Sequence, residues 1–562
     1  MYKILLAAAL CGMSLSAQPS SGGLIPILSE ELDRNFKTLK EKADPPPYFI
    51  SYGVVEEETK VISATLGALT VNNKAHTRAV DVSVRVGSAK LDNYRRIRGD
   101  WPQFASSGYL PIDSDQPAAI RRRLWIDTDR TYRAASQRFL RIKTDEQVKA
   151  ARSDASDDFT VEEPATFDTA PPVLTYQEEE WANRMRKLSA RFSKFSGILS
   201  SNVTLSVQRE TRYLVNTEGT KIRQGRNFIR VFITARAKAG DGMDLAVNES
   251  FEARDFSRLA KEKEMEEAID KAGNELVSML KAPVVDPFVG PAILSGRASG
   301  VFFHEIFGHR IEGHRQKDDA EGQTFTKSIN KPVLPDFLSV IFDPTLERMN
   351  NVDLNGNYVY DDEGVKGKRL VLVENGVLKT FLLSRSPVQG FTKSNGHGRK
   401  QLGGEASSRQ SNLLVESTKS VSENKLREML KEELKKQNKP YGLYFREVTG
   451  GYTTTGRRGL QAYTVIPLVV SRIYADGRPD EMVRGADIVG TPLTSFSKII
   501  ATSDRMGVFN GICGAESGQV PVSAISPSIL ISEIEVQRKE QSRDRPPLLS
   551  PPSSEISTGG NR

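Results

Sequence analysis

The six residues APVVDP, 282 to 287, most constrain what this chain can fold into, because they end a strongly amphipathic helix and separate two regions of different texture. Before them, Met265, Ala268, Ile269, Ala272, Leu276 and Leu280 recur at helical intervals on one face. Upstream, ILSEELDRNFKTLKEK (27–42) predicts another helix, with Leu28, Leu32, Phe36 and Leu39 on one side, and Trp181, Met185, Leu188, Phe192 and Phe195 predict a third. YFISYGVVE, KVISATLGALTV and AVDVSVRVG, between Tyr48 and Gly87, are rich in β-branched and aromatic residues and partly alternate, as strands of a half-buried sheet do. TLSVQRETRYLVNTEGTKIRQGRNFIRVFITARA adds two more strands about a TEG turn. After the break, FLSVIFDP, RLVLVENGVLKTFLLS, YGLYFREVTG and AYTVIPLVVSRIYADG read as strands, and ENKLREMLKEELKKQ as an intervening helix. The fold class is therefore α+β, in two domains, 18–285 and 286–538, each with a mixed or antiparallel sheet and packed helices. A polar stretch from about Leu91 to Pro172 reads as an insertion carrying short helices, and the tail 539–562 as disordered.

The first residues, MYKILLAAALCGMSLSAQ, place a cation at Lys3, an apolar run from Ile4 to Leu10 and a small residue at Ala17. This is the pattern of a secretory signal over 1–17, too short for a membrane span, and it predicts a secreted or periplasmic protein. With the signal removed, Cys513 is the one remaining cysteine, so no intramolecular disulfide can form; a lone thiol in an oxidising compartment is a liability unless it is buried or holds a metal. The net charge of +7 comes from 78 basic residues set against 71 acidic ones, dispersed along the chain, and argues for solubility over nucleic-acid binding.

HEIFGH, 304 to 309, belongs to a chain with five histidines, three of which, His304, His309 and His314, fall within eleven positions. A histidine pair with a glutamate after the first is the vocabulary of a zinc hydrolase, yet the helical version spaces its histidines four apart. On an ideal helix, residues four apart point within about 40° of each other and residues five apart diverge by about 140°. A shared metal thus requires a distortion: a π-type bulge, or departure from the helix at Gly308 just before His309. Two histidines do not complete a zinc site. His314 imitates a third ligand, but with its glycine in the wrong place; Cys513, set among glycines in NGICGAESGQVPVSAISPSILI, is the stronger candidate.

HEIFGHRIEG, DDEGVKGKRLVLVENGVLKTFLLSR, NGHGR and CGAESGQVPVSAISPSILI, in this order, resemble the TldD/PmbA family of bacterial metallopeptidases, in its catalytic TldD-like branch. The resemblance is close from about Gly290 to Val536 and general before that. It implies zinc held by His304, His309 and Cys513 in the C-terminal domain, with Glu305 as catalytic base. It also implies extended or unfolded peptides as substrate, and a homo-oligomer or a hetero-oligomer with a related TldD/PmbA-type subunit. DDEG (Asp361, Asp362, Glu363) is either a solvated turn or a group near the metal that orients a ligand or binds a peptide amine, and Arg399 of NGHGR is a further supporting or substrate-binding candidate. The chain departs from the family in its signal, in the insertion and in His314, where an acidic residue is often found. Two rival readings stand beside the peptidase: a peptide-binding scaffold with a structural zinc, His314 being its fourth ligand, and a hydrolase of non-peptide amides.

Overall fold

The computed structural model describes residues 23–97, 108–148, 154–459, 461–539 and 544–549. The signal over 1–17 lies outside them, as does most of the tail. Among the described residues no helix is long and apolar enough to cross a membrane.

The N-terminal half is built on an eight-stranded sheet. Its long strands β1 (Pro47–Thr65), β2 (Ala68–Ser88), β3 (Ser200–Asn216), β4 (Lys221–Lys238) and β5 (Asp244–Ala253) run antiparallel in the spatial order β2-β1-β3-β4-β5. Buried and half-buried positions alternate along β3, so one face looks inward. Helices cover the sheet in two groups. α1 (Leu24–Lys42) and α2 (Pro117–Val148) pack Leu28, Leu32, Ile120 and Leu124 against Ile50, Val54, Val80 and Val82. α3 (Glu178–Ala190) and α4 (Glu262–Lys281) bury Trp181, Met185, Leu188, Met265, Ile269 and Leu276 against Val203, Leu205, Ile229 and Val231.

α2 corrects the expectation of short helices in a polar insertion: it is one helix of 32 residues. Ile120, Leu124, Ala135, Phe139 and Ile142 are buried, and Thr128 Oγ1 lies 2.7 Å from the Tyr52 hydroxyl of β1. Its apolar stripe is narrow, and ion pairs four residues apart run along it, Arg133 with Asp129 on the outer face and Arg123 with the buried Asp127. That charge hides the helix from a reading based on hydrophobic periodicity.

The C-terminal half forms a twelve-stranded sheet. Its principal elements are β6 (Phe288–Leu294), α5 (Gly296–Ile306), β7 (Leu338–Phe342), β8 (Leu370–Glu374), β9 (Asn412–Ser417), α6 (Glu423–Lys436), β10 (Tyr441–Thr453), β11 (Tyr463–Tyr474), β12 (Ala486–Gly490), β13 (Ile499–Ala515) and β14 (Gly518–Arg538). The path β14-β12-β11-β10-β6 returns to β14, because β6 also pairs with it, so five strands close a ring. β13 and β14 form a long antiparallel hairpin. α5 packs on β14, β10, β13 and β11 and is buried on every side, which explains why GRASGVFFHEI is apolar or small nearly all round. Ser295 caps it, its hydroxyl accepting from the Ala298 amide and donating to the Arg446 carbonyl.

Candidate metal centre

The last turn of α5 carries His304 and Glu305. The α-helix then stops at Ile306: Phe307 takes φ −102° and ψ −53°, and a separate 3-10 turn runs from Gly308 to Ile311. His309 therefore belongs to a new turn, and the divergence expected along a continuous helix no longer applies. The two imidazole centroids lie 5.0 Å apart with their planes at 81°. Of the two distortions the spacing allows, the chain uses the departure from the helix and not a π-bulge. Gly308 is needed for space: a Cβ there would collide with the side-chain amide of Gln410, which also donates to the His304 carbonyl.

Cys513 comes from β13, more than two hundred residues later, paired opposite Val520 near the tip of the hairpin. Its Sγ lies 3.4 Å from His309 Nε2. His304, His309 and Cys513, all buried, each offer a donor atom within 4.8 Å of the others. Burial alone would raise the Cys513 thiol, but the His309 and His304 imidazoles outweigh it and hold the thiol well below its ordinary value. Burial opposes charge on His309, while Cys513 and Glu312 raise its pKa well above the usual histidine range. A thiolate and two imidazoles with His309 Nδ1 already engaged, leaving Nε2 as donor, suit a borderline-soft divalent metal. Glu305 reaches to 3.9 Å from His309 Nε2, and burial raises its carboxyl above the ordinary value. Gly451 makes room for it, since a Cβ there would stand 2.7 Å from Glu305 Cγ.

The triad and Glu305 line a cavity of about 560 Å³ between the two halves of the molecule. The lining includes the consecutive residues Val448 to Thr453 of β10, Phe509 to Ala515 of β13 and Asn248 to Ser250 of β5. A strand that showed its face to a cavity would contribute alternate residues; unbroken runs mean that strand edges border it. Among the described residues, β10 loses β6 as a neighbour after Phe445 and keeps only β11, while β13 from Met506 and β5 each pair on one side only.

The other predicted residues lie elsewhere. Asp361, Asp362, Glu363 and Arg399 do not line this cavity. Asp361 accepts from the Glu363, Val365 and Gly398 amides, Asp362 pairs with Arg212 of β3 and accepts from the Lys400 amide, and Glu363 accepts from the Arg385 amide. Arg399 donates to the Gln410 and Pro521 carbonyls at 2.7 Å each. These groups tie loops together and dock them on the N-terminal sheet, away from the cavity that the triad lines. His314 is also separate from the triad, clustering with Glu312 and Glu516 and packed against the Glu516 carboxylate. Its donor atoms thus fall in a different group from those of the triad.

Sequence reasoning missed two residues that touch the ligands. Glu312, wholly buried, accepts from His309 Nδ1 at 3.2 Å, and its carboxyl is held down at about 2 because His309 and Arg315 outweigh the effect of burial. Arg409, also wholly buried, donates to Cys513 Sγ at 3.3 Å and to the Cys513 carbonyl at 2.8 Å. The glutamate-glycine pair after HEIFGH was a signal for Glu312; nothing in SSRQSN marks Arg409.

Two imidazoles, one thiol and an adjacent carboxylate on a cavity bordered by strand edges form a candidate metal-ligand group. Residues 289–538 match the PmbA/TldA metallopeptidase C-terminal domain and residues 171–280 the PmbA/TldA metallopeptidase central domain. The chain belongs to the PmbA/TldD family. It is 26% identical over 341 residues to a metalloprotease of Methanothermobacter thermautotrophicus, covering 60% of this chain and 69% of that protein. It is 29% identical over 255 residues to a metalloprotease of Methanocaldococcus jannaschii, covering 45% and 51%, and 24% identical over 280 residues to a zinc metalloprotease TldD homologue of Saccharolobus solfataricus, covering 47% and 56%. The matches thus span about half to two thirds of these relatives. Among solved structures, TldE from Thermococcus kodakarensis superposes with a TM-score of 0.61 at 13% identity, over 91% of this chain and 99% of that one. A protein of Thermotoga maritima described as a putative modulator of a DNA gyrase gives 0.60 at 16% identity, over 91% and 100%. These last likenesses establish the fold.

Proposed function

We propose that this protein is a secreted or periplasmic zinc metallopeptidase of the TldD type that hydrolyses extended or unfolded peptides. The observation that carries the reading is the position of His304, His309, Cys513 and Glu305 on a cavity bordered by strand edges with unpaired sides. The name of the Saccharolobus relative supports zinc as the metal. A peptide laid along β10 makes main-chain hydrogen bonds, a mode of binding that needs an extended substrate and reads its backbone more than its side chains.

His304, His309 and Cys513 would hold zinc, which when bound would supply Lewis-acid polarisation of the scissile carbonyl. Glu305, buried and within reach of the same space, accepts a proton from the attacking water at its carboxylate and returns it to the leaving amine. The enclosing strands limit competing water and hold the peptide in line with Glu305. We also propose that the protein works as a homo-oligomer or together with a related TldD/PmbA-type subunit, which light scattering of the purified protein tests. A mature chain beginning near Gln18, recovered outside the cytoplasm, is the outcome expected for its location; intact Met1 on cytoplasmic protein would contradict it.

Glu305→Gln tests the chemistry, since the amide keeps the shape and loses the base. Zinc content and peptide affinity should persist while turnover falls by about 10² to 10⁴. Retained turnover would remove Glu305 from the reaction, and lost zinc would make it a ligand or the support of one.

A further inference from the structure

Arg409 and Glu312 face each other behind the triad, with Arg409 Nε 3.5 Å from Glu312 Oε1. The rest of the guanidinium serves the β13–β14 hairpin: Nη2 reaches the Cys513 sulfur and carbonyl, and Nη1 reaches Ser517 Oγ at 2.8 Å and the Gly518 carbonyl at 2.9 Å. The other carboxylate oxygen of Glu312 accepts from His309 Nδ1. His309 Nε2 stands 3.4 Å from Cys513 Sγ, so four buried side chains from three distant parts of the sequence form a closed circuit. A planar fork with five donors can span sulfur, turn and carboxylate at once; a lysine ammonium cannot. Glu312 also accepts from Arg315 Nε at 2.9 Å, so its charge has a second cationic partner, and the 3.5 Å approach of Arg409 is what joins it to the sulfur side of the circuit.

We infer that Arg409 and Glu312 are a coupled pair of positioning residues that grip the two ends of the metal centre, Arg409 setting the place and electron density of the Cys513 sulfur and Glu312 setting the orientation of His309. This rests on the metal-centre reading above but not on peptidase activity. A hydrogen bond to a metal thiolate stabilises its sulfur lone pairs and raises the energy of sulfur-to-metal charge transfer. A carboxylate on the far nitrogen of a ligating imidazole fixes the tautomer and makes the near nitrogen a better donor.

Cobalt(II) replacing zinc reports both effects without any substrate. Arg409→Met should move the sulfur-to-cobalt band to lower energy and weaken cobalt binding by about 10- to 100-fold, measured against a competing chelator. Arg409→Lys, which keeps the charge and carries the test if Arg409→Met does not fold, should also show the shifted band, with a smaller loss of affinity. Glu312→Gln should weaken binding by a similar factor with the band little moved, and the double variant should lose less than the product of the two single losses. Ser517→Ala, which removes only the grip on the turn, should leave the band in place. An unmoved band in folded Arg409 variants, a moved band in Ser517→Ala, or strictly multiplicative losses would overturn the clamp while leaving the metal centre standing. If the unaltered protein shows no sulfur-to-cobalt band, the centre fails and the clamp with it.

Discussion

Two groups of metal-competent side chains lie side by side in this molecule. His304, His309 and Cys513 form one; Glu312, His314 and Glu516 form the other, and each brings its donor atoms within 4.8 Å of one another. Distance alone does not tell them apart. The surroundings do, because the second group already contains its cation. The Arg315 guanidinium donates from Nε to Glu312 at 2.9 Å and from Nη2 to Glu516 at 2.8 Å, and also reaches Glu321 at 3.0 Å. His314 and Arg315 outweigh burial and hold the Glu516 carboxyl well below its ordinary value. The first group also meets a guanidinium, Arg409 at the Cys513 sulfur, but all three of its residues line the cavity, whereas of the second group only Glu516 does. What separates the two candidate groups here is how far their carboxylates and donors are already bridged: one guanidinium, Arg315, spans Glu312 and Glu516, while among the described residues no guanidinium bridges two donors of the triad.

The largest expected effect breaks the first group. Cys513→Ser replaces a thiolate by a hydroxyl, a poor donor to a borderline-soft metal, and leaves the Arg409 contact to the carbonyl of residue 513 intact. Zinc should fall well below one equivalent in the purified variant and peptide hydrolysis should drop by at least about 10², while circular dichroism keeps the parent's strand and helix content. Full zinc and full activity would take Cys513 out of the centre.

The fold elements and the members of the first group were legible in the sequence, the second group was not, and the difference has a physical cause. Periodicity marks α1, α3, α4 and α6 because each buries a broad apolar stripe, and the strands of both sheets stand out by β-branched content. The spacing in HEIFGH calls for a distorted helix if its histidines are to converge, and the chain leaves the α-helix before His309. Which carboxylates sit near the ligands could not be read, because that depends on contacts between distant segments. DDEG resembles a site since it is a dense run of acid, yet its carboxylates accept from nearby backbone amides and from Arg212 of the other half. Arg409 has no local pattern at all; it matters only once β13 folds back with Cys513 against it. His314 is near the ligands in sequence and apart from them in space, because the chain starts a new short helix, His314–Lys317, after Gly313.

Removing the built-in charge sharpens the comparison. Arg315→Gln leaves Glu312, Glu321 and Glu516 facing one another without their shared partner, and breaking a buried ion pair costs about 3 to 5 kcal/mol. The variant should melt well below the parent. If Arg315 takes the place of a cation in the second group, millimolar zinc or manganese should recover part of that loss in the variant and do less for the parent. Equal cation effects on both proteins would mean that Arg315 does not take the place of a cation there.

The smallest effect belongs to His314. Its Nε2 lies against the Glu516 carboxylate, its side chain keeps 17% of its exposure, and it does not line the cavity. A partly exposed pair of this kind contributes up to about 1 kcal/mol, and Arg315 continues to hold Glu516 when the imidazole is gone. His314→Gln should therefore bind zinc with the parent's stoichiometry and affinity, melt within a few degrees of it, and hydrolyse peptide within about threefold of its rate, a factor that corresponds to less than 1 kcal/mol in the barrier. Zinc titration and turnover on the same preparation decide the matter. A tenfold loss of zinc affinity would place His314 among the ligands and merge the two groups into one site.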